Sequence, residues 1–283
     1  MTNEAEPEVL SPDEAQAEKA TRGSRAVAAR TEPSVALAVT APGAEDKLEV
    51  MREALGEDSL SLKDFEVVKT PGSGGLNWEL PNGDGVKALK GVIIKRHHGR
   101  AFWKQKFGSA GASQIPDCVA ATVNGAEGGT GIGDNGTGPG EHDCKTCPQA
   151  QWGSAKNDSG EAMAGQACQL RTRIFMYPED GDSMLPLVIA LGPSAYAETR
   201  GHFVGRLGAR GIVPHSEITE ISLEKQTSKV GNITYSKPVF KRGAPLDPSS
   251  FQAVDRLRMD MMPILDTLAG RILEGEFADE GGE

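Results

Sequence analysis

Four cysteines are the residues of this chain whose type and spacing point most directly to a chemistry. Cys118, Cys144, Cys147 and Cys168 are separated by 26, 3 and 21 positions, and the central pair lies in the segment "EHDCKTCPQAQWGS". Zinc takes four soft ligands in a tetrahedron, and a CxxC turn supplies two of them from adjacent backbone positions. Two single cysteines can complete the set if the intervening chain folds back. A redox CxxC instead opens a helix after a strand in a βαβ unit. Here Pro148 follows the second cysteine and the surroundings are glycine-rich loop. Metal-free buried thiols are the third reading, because free cysteine is commonly buried.

The expected cofactor is a structural Zn2+ held by Cys118, Cys144, Cys147 and Cys168. A closed four-ligand site leaves no position for a reacting water, so the metal would be structural and not catalytic. His142, two residues before Cys144, could replace one single cysteine, and His97 and His98 are further candidates. An iron–sulfur cluster draws on the same four thiolates, which leaves the metal open at this point.

All four cysteines lie in a glycine-rich region, residues 108–170, with no helix or strand of normal length evident. So long a structureless stretch within a compact domain needs something to hold it. Zinc binding can supply about 10 kcal/mol of folding free energy to a small module.

On either side of that region the signals are mainly β. "FEVVKT", "LNWELP" and "VKALKGVIIKRHH" read as strands, and "RTRIFMY" with "MLPLVIAL" reads as a hairpin around "PEDGDS". "HSEITEISLEKQ" and "NITYSKPVFKR" alternate with period two, as a second hairpin does. "PSAYAETRGHFVGRLGARG" reads as the one internal helix, with Tyr196, Phe203 and Leu207 as its apolar stripe. A short helix is predicted from Glu45 to Leu55, ended by Gly56. A final amphipathic helix is predicted over 248–273, carrying Phe251, Val254, Leu257, Met261, Leu265, Leu268 and Ile272 in phase. Pro263 should kink it.

The fold class expected is therefore mainly β: an OB-fold-like β-barrel with one internal helix, a Gly-rich zinc-binding insertion and a C-terminal helix, with a β-sandwich fitting the same strands nearly as well. The division along the chain is a disordered acidic region at 1–61, the β core at 62–247 with its insertion at 108–170, the helix at 248–273 and an acidic tail at 274–283.

The second cluster with chemical meaning is "KRHHGRAFWKQKF", residues 95–107, with five basic residues and no acidic one. Cations that track phosphates beside flat rings that stack on bases are what a single-stranded nucleic acid needs. Lys95, Arg96, Arg100, Phe102, Trp103, Lys104 and Lys106 are the candidate contacts, with Arg171 and Arg173 on a following strand. The competing reading buries the three rings in the core, with lysine stems at the sheet rim. Lys237, Lys241 and Arg242 would extend the basic face if their strand lies alongside; Arg200, Arg206 and Arg210 read as a solvated helix face.

The formal charge of -10 describes the ends more than the middle. Residues 1–62 carry 6 basic and 13 acidic side chains, residues 244–283 carry 3 and 9, and the segment between is net +3. A flexible anion beside a basic groove can compete for it and can recruit partner proteins. An ordinary solubilising tail fits the same composition. No apolar run approaches the eighteen residues that suggest a membrane span. The acidic N-terminus lacks the apolar stretch of a secretory signal, so a reducing, cytoplasmic setting is expected. No GxxxxGK[ST], GxSxG, HExxH or DxDxDG pattern occurs, and no catalytic residues are assigned; a non-enzymatic protein is expected.

In order, "NWELP", "GVIIKRHHGRAFWK", "PDC", "DCKTCP…WGS", "GQAC" and "ITYSKPVF" resemble an uncharacterised family of phages and other mobile elements, over roughly residues 65–242. The layout is also similar to that of the zinc-containing single-stranded DNA-binding proteins of T-even-type phages. That resemblance implies an OB fold, a zinc subdomain and an acidic C-terminal tail, although the T-even pattern uses one histidine and three cysteines. The expected function is single-stranded DNA binding in phage or mobile-element replication or recombination, with partner proteins engaged through the tail. The alternative is a zinc-stabilised protein-interaction module that regulates transcription or replication; a metalloenzyme such as a nuclease is the third reading.

Overall fold

The computed structural model describes residues 37–275, except 41–42, 59, 62–63, 106–115, 125–127, 158 and 229–233. The side chains of 124 and 269–275 are also outside the described set. The predicted acidic tail from residue 276 onward and the first 36 residues therefore lie outside the described residues.

The chain is mainly β with a long C-terminal helix. A first helix α1 (Ala44–Leu55) precedes β1 (Val67–Lys69), the small pair β2 (Trp78–Glu79) and β3 (Gly85–Val86), and the long β4 (Ala88–Phe102). The glycine-rich region contributes β5 (Cys118–Ala120), β6 (Val123–Asn124), β7 (Gly128–Asp134) and β8 (Pro139–Asp143). The predicted hairpins are β9 (Gln169–Pro178) with β10 (Leu187–Leu191), and β11 (Glu217–Thr227) with β12 (Thr234–Pro245). Between them lies the short helix α2 (Tyr196–Arg200), and the chain ends in α3 (Pro248–Gly275).

Ten strands form one sheet, in the order β1-β10-β9-β4-β5-β7-β6. Strand β11 joins the first part of β4, carrying β12 with it, and β8 adds to β7. Among the described residues these pairings do not close a barrel, so the closed OB barrel expected from the strand count is not what the pairing forms. The physical reason lies in β4. Its fifteen residues pair with β9 almost throughout, while its other edge goes to β11 at one end and β5 at the other. One long strand thus serves two partners, while β1, β6 and β12 each have a single strand partner, so no described pairing joins the ends of the sheet.

Period-two alternation along β4 gives the sheet two buried faces. Val92, Phe175, Tyr177 and Val188 face α3, whose Val254, Leu257, Met261, Leu265 and Leu268 are all buried. Leu37, Val39 and Leu60 belong to this same core, so the folded body begins upstream of the expected start near Leu62. Ile93, Ile174, Met176 and Ile189 face the other core with Trp78, Phe203, Leu207 and Phe240. The Trp78 indole donates to the Ile221 carbonyl at 3.0 Å and ties the β2–β3 pair to the sheet.

Asp247 starts α3 by accepting from the Ser249 and Ser250 amides, each at 3.0 Å. This satisfies donors that the first helical turn leaves orphaned. The helix is assigned continuously through Pro263. The helical run before β11 is irregular: α2 passes into a π-helical turn, Gly201–Leu207, before Gly211 ends it with a φ of 68°. Phe203 and Leu207 still point inward, as the apolar stripe predicted.

Candidate functional site

The cysteine cluster is assembled by four separate pieces of chain. Cys118 opens β5, Cys144 and Cys147 flank the turn after β8, and Cys168 precedes β9. All four are buried free thiols. Backbone hydrogen bonds set three of them in place: the Cys144 amide donates to Gly129 at 2.9 Å, Cys147 to Asp143 at 2.9 Å, and Cys168 to Gln149 at 2.8 Å.

Glycine is required where strand β7 crosses the cluster. A Cβ on Gly131 would lie 3.1 Å from the Cys118 sulfur and 3.6 Å from that of Cys144. The two thiols therefore approach the same point on β7. At Gly133, with φ of 123°, a Cβ would meet the Asp117 carbonyl oxygen at 2.2 Å, which no side chain tolerates.

Burial pushes the Cys118 thiol up to about 11 and the Cys168 thiol up to about 12. The neighbouring sulfurs add to this. Charge on Cys144 or Cys147 raises Cys118, charge on Cys147 raises Cys144, and charge on any of the other three raises Cys168. Even so, no group of three or more His, Cys, Asp or Glu side chains among the described residues stands in a metal-holding arrangement.

His142 is otherwise engaged, with Nε2 3.0 Å from the carbonyl oxygens of both Gly133 and Gly138. His97 Nε2 is 3.3 Å from the Thr122 hydroxyl, and His98 Nδ1 is 2.8 Å from the Thr172 hydroxyl. Burial, then Arg173 and Lys95, lower His97 to about 4; burial and then Arg96 do the same for His98.

No known protein family, curated protein or solved structure matches this chain. Its chemistry must be read from its own geometry.

The basic segment divides between the two faces of the sheet. Cross-strand register pairs His97 with Arg173, Gly99 with Arg171, and Lys95 with Phe175 of the α3-side core. Trp103 packs on Ala101 and Val119 of this same face. Lys95, Arg173, Arg171 and Trp103 thus lie in that order along one face of the sheet, with Lys95 paired to Asp266 of α3 at the far end. Access is restricted there: Arg173 is buried, the Lys95 side chain is 7% exposed, and Arg171 and Trp103 are half-buried.

Arg96, Arg100 and Phe102 take the opposite face. The Arg96 guanidinium lies over the Phe203 ring, 4.8 Å from its centroid. Phe102 packs against Cys118, Cys147 and Cys168, and Arg100 is fully buried beside them. Lys104 is at the rim, paired with Asp134, and Lys106 lies outside the described residues. On β12, Lys237 pairs with Glu198, Lys241 with Glu220, and Arg242 with Glu217. The predicted extension of the basic face along that strand is charge-compensated.

One residue that sequence reading passed over is Trp152, 78% exposed on the turn after the CxxC. The turn is firmly held: Ser154 Oγ donates to Gln149 and Gln151 carbonyls, and the Gly153 amide donates to Gly165 at 2.7 Å. Its signal was present in "CPQAQWGS", where a tryptophan sits among polar residues with no apolar periodicity to bury it.

Proposed function

We propose that this protein binds single-stranded DNA without catalysing a reaction, and that its four cysteines hold a structural Zn2+. It would act in replication or recombination of a phage or mobile element, as its resemblance to the T-even type of binding protein suggests. An OB-related use of the sheet belongs to the same proposal. The observation that carries it is the placement of Lys95, Arg173, Arg171 and Trp103 along one face of the sheet. The shielded cations would supply a positive field, and the half-buried Arg171 and Trp103 would make the contacts at its edge.

The residue types suit zinc: a CxxC and two single cysteines, all buried, lie in the glycine-rich region. Neutral thiols pack as small apolar groups. A divalent cation that binds them displaces the thiol protons.

A second reading, a zinc-stabilised protein-interaction module, is favoured by the burial of Lys95, Arg100 and Arg173 together with the exposure of Trp152. Large rigid aromatics are the commonest anchors of protein interfaces. Fluorescence anisotropy with labelled oligonucleotides separates the two. Binding to single strands that weakens as salt rises supports the first reading. No binding at low salt overturns it and leaves the second.

A further inference from the structure

A cavity at one end of the second core is lined by residues that neither the basic strand nor the cysteine cluster uses. Its volume is about 410 Å3, within the range of ordinary ligand sites. It lies between the turn that joins β2 to β3 and the turn that leaves β9. The floor is apolar: Leu89, Met176 and Leu187 are buried core residues, with Leu80 and Val86 of the small hairpin half-buried against them. Backbone hydrogen bonds fix the walls. The Leu80 amide donates to the Asp84 carbonyl at 2.9 Å and closes one turn, and the Glu179 amide donates to the Lys90 carbonyl at 2.8 Å and anchors the other.

The lining above this floor is anionic. Glu66, Glu179, Asp180 and Asp182 contribute four carboxylates, none with an ion-pair partner among the described residues. The cation of the lining, Lys90, is directed to Glu220 of β11 at 3.8 Å. Carboxylates nearby on the sheet and on α2 are matched: Glu198 with Lys237, Glu217 with Arg242 and Glu220 with Lys241. The cavity therefore combines an apolar hollow with an uncompensated negative field.

That combination selects its occupant. Nucleic acid is repelled by the carboxylates, and a purely apolar ligand leaves them unanswered. A lysine or arginine beside a large apolar residue meets both surfaces. Its methylene stem and its neighbour cover the floor, while the charged head stays at the wet edge among the carboxylates. We propose that this cavity docks a basic, leucine-bearing segment of a partner protein. The proposal holds whichever reading of the basic strand is correct. Strand β4 contributes Ala88, Leu89 and Lys90 to the cavity at its start and carries the basic segment towards its end, so both surfaces can be occupied at once.

The test uses the full-length chain and a fluorescein-labelled peptide of alternating leucine and lysine, with a glutamate-for-lysine version as control. Anisotropy should show the lysine peptide binding at low salt, less tightly as salt rises, and the glutamate version not binding. Asp180→Asn/Asp182→Asn is expected to lose about tenfold in affinity, at an unchanged melting temperature because both side chains are exposed. Asp279→Asn/Glu280→Gln, near the C-terminus, should bind as the wild type does. Methyl NMR locates the peptide: the Met176 methyl on the cavity floor should shift, and that of the exposed Met259 on α3 should not. No binding at low salt overturns the proposal. So does wild-type affinity in Asp180→Asn/Asp182→Asn, a loss in the C-terminal variant in its place, or a Met176 methyl that stays fixed at saturation. Displacement of the peptide by an equal concentration of spermidine would make this a site for free polyamines and overturn the docking assignment. Dimerisation of the chain that Asp180→Asn/Asp182→Asn abolishes would make a second copy the occupant, and overturn it as well.

Discussion

Lys95 and Arg96 are neighbours in sequence and are committed to opposite faces of one sheet. Lys95 pairs with Asp266 of α3, while Arg96 stacks over Phe203 in the second core. The alternation continues to the end of β4, where Phe102 joins the cysteine cluster and the following Trp103 packs at the edge of the α3 side. Adjacent substitutions should therefore have unlike effects. Phe102→Ala empties a well-packed site and is expected to cost about 3–5 kcal/mol of stability. Trp103→Ala is expected to leave the fold intact and weaken single-strand binding by about 1–3 kcal/mol. Chemical denaturation and anisotropy on both variants check this. Equal loss of stability in the two would place Trp103 in the core.

The Lys95–Asp266 pair joins a buried cation to a carboxylate that is 67% exposed. Removing the anion strands the ammonium, but solvent at Asp266 softens the loss. Asp266→Asn is expected to destabilise the chain by about 1 kcal/mol, between the values for surface and buried pairs. The unfolding midpoint at low and high salt checks it, and the difference should narrow as salt rises.

Trp152 offers the opposite test. Its ring is open to solvent on a turn held by its neighbours' hydrogen bonds, so Trp152→Ala should change stability by no more than about 0.5 kcal/mol. A loss of oligonucleotide affinity would make it a stacking ring. Unchanged affinity together with the loss of a partner protein would favour the interaction-module reading.

Much of the β framework was legible because its strands carry alternating apolar side chains. The two hairpins, the helix ended by Gly211 and the stripe from Val254 to Leu268 follow from periodicity and turn residues. The strands β7 and β8 were not legible, because Gly128, Gly129, Gly131, Gly133 and Gly140 offer no side-chain pattern. Their glycines answer to backbone approach and to the sulfurs they must clear. The burial of the four cysteines agrees with their residue type, but the division of "KRHHGRAFWK" between two faces was not legible. It depends on the register shift between Ile93 and Lys95, which resets the face to which each later residue points. Nor could the sequence show that one strand serves two partners along a single edge, the feature that leaves the barrel open.

His202 provides a pH test away from the cysteines. It is fully buried in the π-helical turn, stacked on Phe240, with Nε2 3.5 Å from the Thr219 hydroxyl. Burial first, then Arg206, Arg242 and Arg96, lower it to about 4, with Glu217 opposing. The unfolded chain binds its proton near pH 6.5 and the folded chain only near 4. Stability is therefore fully present above about pH 6.5 and falls as pH drops towards 4, because the unfolded state binds more protons. His97 and His98 fall in the same sense. Urea midpoints between pH 7.5 and 4 should decline, and His202→Phe, which keeps a ring against Phe240, should decline less steeply. An equally steep decline in that variant would assign the effect to other groups.

Metal removal tests the cluster as a whole. The described residues of the segment from Cys118 to Cys168 are buried in small groupings, which Phe102 and Leu170 of the flanking strands join. The two larger cores lie on the faces covered by α3 and by Phe203 with Phe240. Chelation should therefore loosen the segment while leaving most of the sheet folded. Limited proteolysis is expected to gain cuts within residues 118–168, with a fall in melting temperature on the order of 5–10 °C. Gly131→Ala, whose added methyl would press on the Cys118 sulfur, should reproduce part of this loss with zinc present. A wild-type chain whose proteolysis pattern and melting point do not respond to chelation would show that thiol packing alone holds the segment, and would remove the structural role assigned to the metal.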